Sequence, residues 1–182
     1  MFRGVKFRSR TEARWAVFFD ALHLSYEYEP KRLSLSSGET YLPDFFLGDF
    51  NAYFEVKPSS EAVVTEECIR ARTLARDQPG QRVWLAMGAP NAEQANVLPL
   101  NQWRFDVDIG EILATPENRY RFMEDRRDDE VYWLQAEFVT GGFSHSYMIG
   151  GKGQSTDHER LPMIKGQILE AYKAATAAFA AK

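Results

Sequence analysis

The sequence predicts an α/β fold with a mixed central β-sheet flanked by helices. Three observations lead to this prediction: an apolar pattern of helical period near the N-terminus, a run of short alternating segments after it, and a second helix followed by an apolar strand. Residues 82–88 are nearly all apolar, as expected for a strand covered on both faces. The order helix, strand meander, helix, strand is typical of a mixed sheet with helices packed against it.

The first predicted helix begins after Ser9 and ends near Leu24. Its apolar residues recur at helical spacing and define one buried face: Trp15, Phe18, Phe19 and Leu22. Ser9 and Glu12 have the spacing of a capping box, in which the Glu12 carboxylate binds the backbone amide of Ser9.

Short strands separated by turn residues are predicted for the segment that follows. They are residues 26–29, 33–35, 40–42, 44–47 and 52–57, with turns at residues 36–39 and 48–51. The second turn allows the strand at residues 44–47 to run back beside the strand at residues 52–57 as a hairpin.

A second helix is predicted for residues 61–76, with Ile69 and Leu74 toward the core. Weaker downstream patterns predict a strand at residues 103–107, a surface acidic stretch through residues 128–130, a strand at residues 131–139, a loop-rich segment at residues 141–153 and a terminal helix at residues 162–181. We expect residues 1–105 to form the core of the fold. Residues 106–182 would be a C-terminal extension (acidic segment, strand or hairpin, terminal helix) packed on that core within one compact domain.

The composition excludes several classes of protein and site. The 182 residues include one cysteine, Cys68, so neither an intrachain disulfide framework nor a Cys-rich zinc site can form. The three histidines have no metal-ligand spacing. No apolar run is long enough to span a bilayer or to serve as a signal peptide, so we expect no membrane partner and a cytoplasmic location, that of the host cell if the protein is phage-encoded.

Basic residues are concentrated near the N-terminus although the net charge is −4. Residues 3–14 carry five basic side chains and one acid, whereas residues 106–130 carry nine acids and four arginines. Arg8, Arg10 and Arg14 are therefore candidate contacts to nucleic-acid phosphates. The alternative is that they form an ordinary solvated face.

Asp44, Glu55 and Lys57 are the candidate catalytic residues. Glu55 and Lys57 project to the same face, since side chains alternate along a strand, and the predicted hairpin brings Asp44 close to Glu55. Two carboxylates suit Mg²⁺ or Mn²⁺, and such a metal promotes phosphodiester hydrolysis, with a lysine to orient water or offset charge. Glu12 either supplies a third carboxylate or serves only as a helix cap.

This arrangement resembles the signature of the PD-(D/E)XK nuclease superfamily, whose members share the restriction-endonuclease-like fold. The matching residues are Pro43-Asp44, ten intervening residues, and then Glu55-Val56-Lys57. More narrowly, the helix SRTEARWA followed by YLPDF and FEVK looks like phage- and prophage-encoded members of that superfamily. The resemblance covers about half of the chain and fades after residue 90.

The resemblance implies a metal-dependent nuclease of phage or mobile-element origin that hydrolyses DNA, a Mg²⁺-dependent deoxyribonuclease and an endonuclease rather than an exonuclease. Asp44 and Glu55 would be metal ligands with Glu12 as an accessory acid, and Lys57 would be the catalytic lysine. A homodimer or a larger nucleoprotein complex stays open. Two alternatives remain: a nuclease subunit active only within a larger recombination or transposition complex, and a non-catalytic nucleic-acid-binding module on the same fold.

Overall fold

Within the part of the chain that the structure describes, nine strands form one mixed β-sheet, with helices against both of its faces. The computed structural model describes residues 1–58, 61, 63–115, 119–125, 131–136, 146–151 and 162–179. The helices are α1 (Arg10–Ala21), α2 (Glu66–Asp77), α3 (Ile109–Ala114) and α4 (Gly166–Ala177). The predicted α/β class with a mixed sheet is confirmed.

The strands follow one another along the chain as short segments. They are β1 (Tyr26–Tyr28), β2 (Leu33–Ser34), β3 (Thr40–Tyr41), β4 (Phe45–Leu47), β5 (Ala52–Lys57), β6 (Arg82–Met87), β7 (Val97–Pro99), β8 (Tyr120–Asp125), β9 (Val131–Ala136), β10 (Ser146–Gly151) and β11 (Pro162–Met163). The sheet order is β1-β4-β5-β6-β7-β8-β9-β10, with β11 on β8, while β2 and β3 pair separately. Only β5 and β6 pair in parallel among the described strands, joined by α2 as the crossover helix.

Helix α1 begins and ends with backbone geometry that the local sequence explains. The Ser9 hydroxyl accepts a hydrogen bond from the Glu12 N–H (3.1 Å) and so caps the N-terminus. At the other end His23 adopts a left-handed conformation (φ 55°), and the Leu24 N–H bonds the Phe19 carbonyl (2.9 Å). This Schellman-type ending stops the helix close to the predicted position.

The predicted hairpin is confirmed, with β4 and β5 antiparallel. Phe45 lies opposite Phe54 and Leu47 opposite Ala52, and Asn51 takes a left-handed conformation (φ 48°) in the turn. An asparagine tolerates this conformation better than most residues, which lets a short connection reverse the chain.

Two apolar cores lie on opposite faces of the sheet. The first joins α1 and α4 to side chains such as Phe54, Trp84 and Phe122. The second joins α2 and α3 to side chains such as Tyr53, Leu85 and Leu98. Strand β6 is therefore covered on both sides, as its apolar sequence predicts.

The predicted strand at residues 103–107 is wrong. The sheet uses β7 instead, followed by a 3₁₀ turn at Leu100–Gln102. The reason is Arg72 of α2, a buried arginine whose guanidinium donates to the carbonyls of Leu100 (2.7 Å), Trp103 (3.4 Å) and Arg104. Carbonyls bound in this way are not available for a strand ladder.

Three further elements and one boundary differ from the predictions. Helix α3 and strand β8 lie within the stretch expected to be an exposed acidic segment, and β10 lies within the segment expected to be loop. Strand β9 confirms most of the strand predicted at residues 131–139. Residues 137–139 and the acids at residues 128–130 lie outside the described part of the chain. Residues 162–163, expected to begin the terminal helix, pair with β8 instead.

Helix α2 begins five residues later than predicted. The Lys57 ammonium donates to the carbonyl of Val63 (3.3 Å) and to the hydroxyl of Thr65 (3.0 Å), which keeps this segment from joining the helix. Leu74 is buried as predicted, but Ile69 is 42% exposed, so its predicted place in the core is wrong.

None of the helices among the described residues combines the length and apolar character needed to cross a bilayer. The division of the chain near residue 105 stays a prediction. Strand β7 pairs with β8 across that position, through Val97 and Tyr120.

The aromatic core yields a stability prediction. Phe19 is fully buried and contacts the rings of Trp15, Phe45 and Phe54, so Phe19→Ala should lower the free energy of unfolding by about 3–5 kcal/mol. Phe105 is 59% exposed, so Phe105→Ala should change the free energy of unfolding by less than about 0.5 kcal/mol. Urea denaturation of both variants measures the difference, and equal losses would contradict this description of the core.

Candidate functional site

The register of the β4–β5 hairpin places the two candidate carboxylates opposite each other. Phe45 pairs with Phe54 and Phe46 with Tyr53, and one further step along the same register brings Asp44 opposite Glu55. Directly opposed residues in an antiparallel pair project to the same face. The predicted approach of Asp44 to Glu55 is confirmed.

Asp44 is held by one backbone amide and one guanidinium. The Val56 N–H donates to its Oδ2 atom (2.8 Å), and the Arg8 Nη2 group forms an ion pair with its Oδ1 atom. The Arg8 Nε group also pairs with Glu29 (3.0 Å). Only 3% of Asp44 is exposed, so both of its carboxylate oxygens are bound inside the protein.

Glu55 is held by a tyrosine that lies two residues before Pro43. The Tyr41 hydroxyl donates to Glu55 Oε2 (2.5 Å), and the Asp44 N–H approaches the same oxygen (3.4 Å). Glu55 is 4% exposed. Tyr41 was missed in the sequence analysis. Its two-residue strand β3 pairs with β2 outside the main sheet, so no local pattern places its hydroxyl at Glu55.

Burial makes both carboxyls harder to ionise. It raises the pKa of Asp44 to about 6, and the nearby Glu12 adds to the rise, while the Val56 amide and Arg8 oppose it. The pKa of Glu55 lies well above its ordinary value because the group is buried and faces Asp44. Two adjacent buried acids repel each other when ionised, and a bound cation relieves that repulsion.

The Lys57 side chain does not converge with the two carboxylates. As predicted, it lies on the same strand face as Glu55; in addition, the structure buries it. Its ammonium, however, donates to the Val63 carbonyl and the Thr65 hydroxyl rather than to either acid. The approach of α2 and its preceding segment decides this, which strand alternation alone does not reveal.

Glu12 is buried near the pair, but its bonding differs from the predicted capping box. Its Oε2 atom accepts from the Tyr28 hydroxyl (2.6 Å) and from the Arg8 N–H (3.2 Å), not from the Ser9 amide. Burial and this bond to Glu12 raise the pKa of Tyr28 to about 12. Glu12 thus joins α1 to β1 and to the segment that carries Arg8.

The three candidate nucleic-acid contacts lie in different surroundings. Arg8 is bound to Asp44, Arg10 is exposed, and Arg14 donates through Nε to the Ala178 carbonyl (3.1 Å) at the end of α4. They do not form one continuous basic face. Their role in binding nucleic acid stays a prediction.

The predicted three-carboxylate metal site is not assembled among the described residues, since no three acidic, histidine or cysteine side chains there come close enough to bind one ion. The Asp44–Glu55 pair nevertheless fits a divalent cation. Mg²⁺ is commonly held by one or two carboxylates and keeps several waters. The raised pKa values of both carboxyls mean that burial disfavours their ionised forms, and a bound cation would stabilise those forms.

Comparisons with protein family models, with curated proteins and with solved structures find no match to this chain.

The raised pKa of Asp44 makes a pH prediction for the metal-free protein. Between pH values of about 4 and 6 the folded Asp44 holds a proton that the unfolded chain has lost, so lowering the pH from 7 to 5 should increase stability. In the Asp44→Asn variant, the change in the free energy of unfolding between pH 7 and pH 5 should be smaller by about 1–3 kcal/mol. Urea denaturation in EDTA at both pH values measures it. Parallel pH profiles for wild type and variant would contradict the assigned burial of an ionisable Asp44.

Proposed function

We propose that this protein is a metal-dependent nuclease that hydrolyses DNA phosphodiester bonds on a restriction-endonuclease-like core. The observation that carries the proposal is the buried Asp44–Glu55 pair at the end of paired strands, with both pKa values raised. Stability alone gives no reason to bury two facing acids, because their desolvation is costly. Such pairs are typical of sites where function requires the charge.

Asp44 and Glu55 would hold Mg²⁺ or Mn²⁺. When bound, the cation supplies Lewis acidity at the phosphate and a nucleophile at neutral pH. The Tyr41 hydroxyl orients the Glu55 carboxylate, and the Val56 amide orients that of Asp44. Such partners of ligating carboxylates keep them aligned before the ligand arrives.

Lys57 and Glu12 would act after a local rearrangement. Lys57 has to leave Val63 and Thr65 to place its charge beside the phosphate, where it would orient the attacking water or offset developing charge. Glu12 has to release Tyr28 and the Arg8 amide to become an accessory acid. Closure of this kind on substrate is common in enzymes.

The restriction-endonuclease-like core is supported by the connection of the central strands. A helix precedes a meander, the β4–β5 hairpin carries the acids, and α2 links β5 to its parallel neighbour β6. A phage or mobile-element origin rests on the resemblance of segments within residues 9–90.

A second candidate function is a non-catalytic nucleic-acid-binding module on the same fold. The observation in its favour is that Asp44 already has a cation partner in Arg8 and that Lys57 is bound elsewhere. A third candidate, a nuclease subunit active only in a larger recombination or transposition complex, would share this resting arrangement.

Cleavage of covalently closed circular DNA tests the nuclease. The purified chain should nick it with Mg²⁺ or Mn²⁺ and be inactive in EDTA, and Asp44→Asn and Lys57→Ala should each reduce the rate at least about 100-fold. Nicking of a circle identifies an endonuclease, because an exonuclease needs an end. The readout is conversion of supercoiled to relaxed DNA on a gel.

Asp49→Asn is the matched control for this experiment. Asp49 is exposed in the turn at the opposite end of the same hairpin, so its loss should leave the rate unchanged. Cleavage that persists in both the Asp44→Asn and the Lys57→Ala variants would contradict the proposed nuclease function. Binding without cleavage favours the module, and cleavage restored only by a partner favours the subunit.

Arg8 provides a separate prediction about the cation. Its guanidinium competes for Asp44, so Arg8→Ala should tighten binding of Mn²⁺ about two- to tenfold in the absence of nucleic acid. Arg10→Ala removes the same charge from an exposed position and should leave the affinity unchanged. Titration of free Mn²⁺ by electron paramagnetic resonance measures both. Equal affinities in the two variants would show that Arg8 does not occupy the cation site.

A further inference from the structure

A cavity of about 610 Å³ lies at the end of β6, between the first half of α1, the segment after β6 and the end of α4. Its volume is in the range of ~300–1,000 Å³ that is usual for ligand sites and accommodates a ligand the size of a nucleotide. Its polar lining includes Thr11, Arg14, Asn91, Gln94, Arg119 and Thr176.

The cavity shares chain segments with the Asp44–Glu55 site. Pro58 lines the cavity and directly follows Lys57, and Thr11 directly precedes Glu12. The N–H of Gly88, also in the lining, donates to the Lys57 carbonyl (2.8 Å). The cavity and the strand that carries Glu55 and Lys57 therefore meet at the C-terminal ends of β5 and β6.

The two arginines of the cavity keep their charge available. Arg14 donates to the Ala178 carbonyl (3.1 Å) and Arg119 to the Leu113 carbonyl (3.5 Å), and neither pairs with a carboxylate in the described part of the chain. Glu93 is the acidic residue of the lining, and it is exposed. In a protein of net charge −4, these guanidiniums form a local positive site suited to phosphate.

The walls of the cavity are already held in place. The Asn96 amide donates to the carbonyls of Met87 (3.1 Å) and Ala89 (2.7 Å), and Asn91 Oδ1 accepts the N–H groups of Glu93 (2.8 Å) and Gln94 (3.2 Å). A preformed wall lowers the ordering cost of binding.

We propose that this cavity binds a nucleotide of the DNA strand next to the bond that is cut, with Arg14 and Arg119 binding its phosphate. The assignment rests on the proposed nuclease function and extends it, because it gives the strand a second point of attachment beside the carboxylates. The amide groups of Asn91 and Gln94 offer polar contacts to the base or sugar.

Fluorescence anisotropy of a labelled single-stranded oligonucleotide in EDTA tests the proposal without cleavage. Arg14→Ala and Arg119→Ala should each weaken binding about 5- to 10-fold and reduce the slope of log affinity against log salt by about one. Gln94→Trp keeps both charges and fills the cavity from an exposed position, so it should also weaken binding. Arg76→Ala, an exposed arginine at the end of α2 away from the cavity, is the matched control and should bind like wild type.

The outcomes separate the cavity from the nuclease. A protein that cleaves DNA while both cavity arginine variants bind like Arg76→Ala overturns the cavity assignment alone. If the three substitutions weaken binding but the protein never cleaves DNA, the result supports nucleotide binding in the cavity and contradicts the proposed nuclease function. The third outcome is that a free deoxynucleoside monophosphate binds as tightly as the oligonucleotide and is weakened by the same three substitutions. That result would overturn the proposal that the ligand is a DNA strand and identify it as a free nucleotide.

Discussion

The antiparallel pairing of β4 with β5 is the constraint on which the rest of the site depends. Phe45 and Phe54 pack on the α1 face while Phe46 and Tyr53 lie on the α2 face, so a slip by one residue would exchange the two faces. The aromatic core therefore locks the register, and the register sets Asp44 opposite Glu55. The position of the two acids is therefore a consequence of the packing of the aromatic residues next to them in each strand.

Holding two facing acids inside the protein has a cost that their neighbours only partly offset. The Val56 amide, the Tyr41 hydroxyl and the Arg8 guanidinium each stabilise the ionised carboxylates, yet both pKa values stay raised. Natural proteins tolerate such local destabilisation mainly where function requires it. Arg8 is the most accessible of these partners, because more than half of its side chain is exposed. It is therefore the partner that a cation or a phosphate can displace with the least disturbance of the fold.

Helix α1 links the carboxylate pair to the cavity. Glu12 lies toward the acids, whereas Thr11 and Arg14 line the cavity, and Trp15 donates to the Gly88 carbonyl (2.9 Å) at the end of β6. The helix is buried along one face by aromatic side chains and is capped at both ends. A rigid element that carries residues of both sites keeps their separation constant.

The local sequence by itself determined the α/β class, the first helix, the hairpin and the pair of opposed carboxylates. Each of these follows from short-range periodicity and turn chemistry, such as the alternation of Glu55 with Val56 and the left-handed Asn51. Only the tertiary structure decided where the long polar side chains point. Lys57 donates to the Thr65 hydroxyl just before α2, and Arg8 binds Asp44, which lies 36 positions further along the chain. Arg72 binds the Leu100 carbonyl, next to the segment that was expected to be a strand. Long flexible side chains take the partner that folding brings nearest, and that partner is distant in the chain, so no local pattern encodes it.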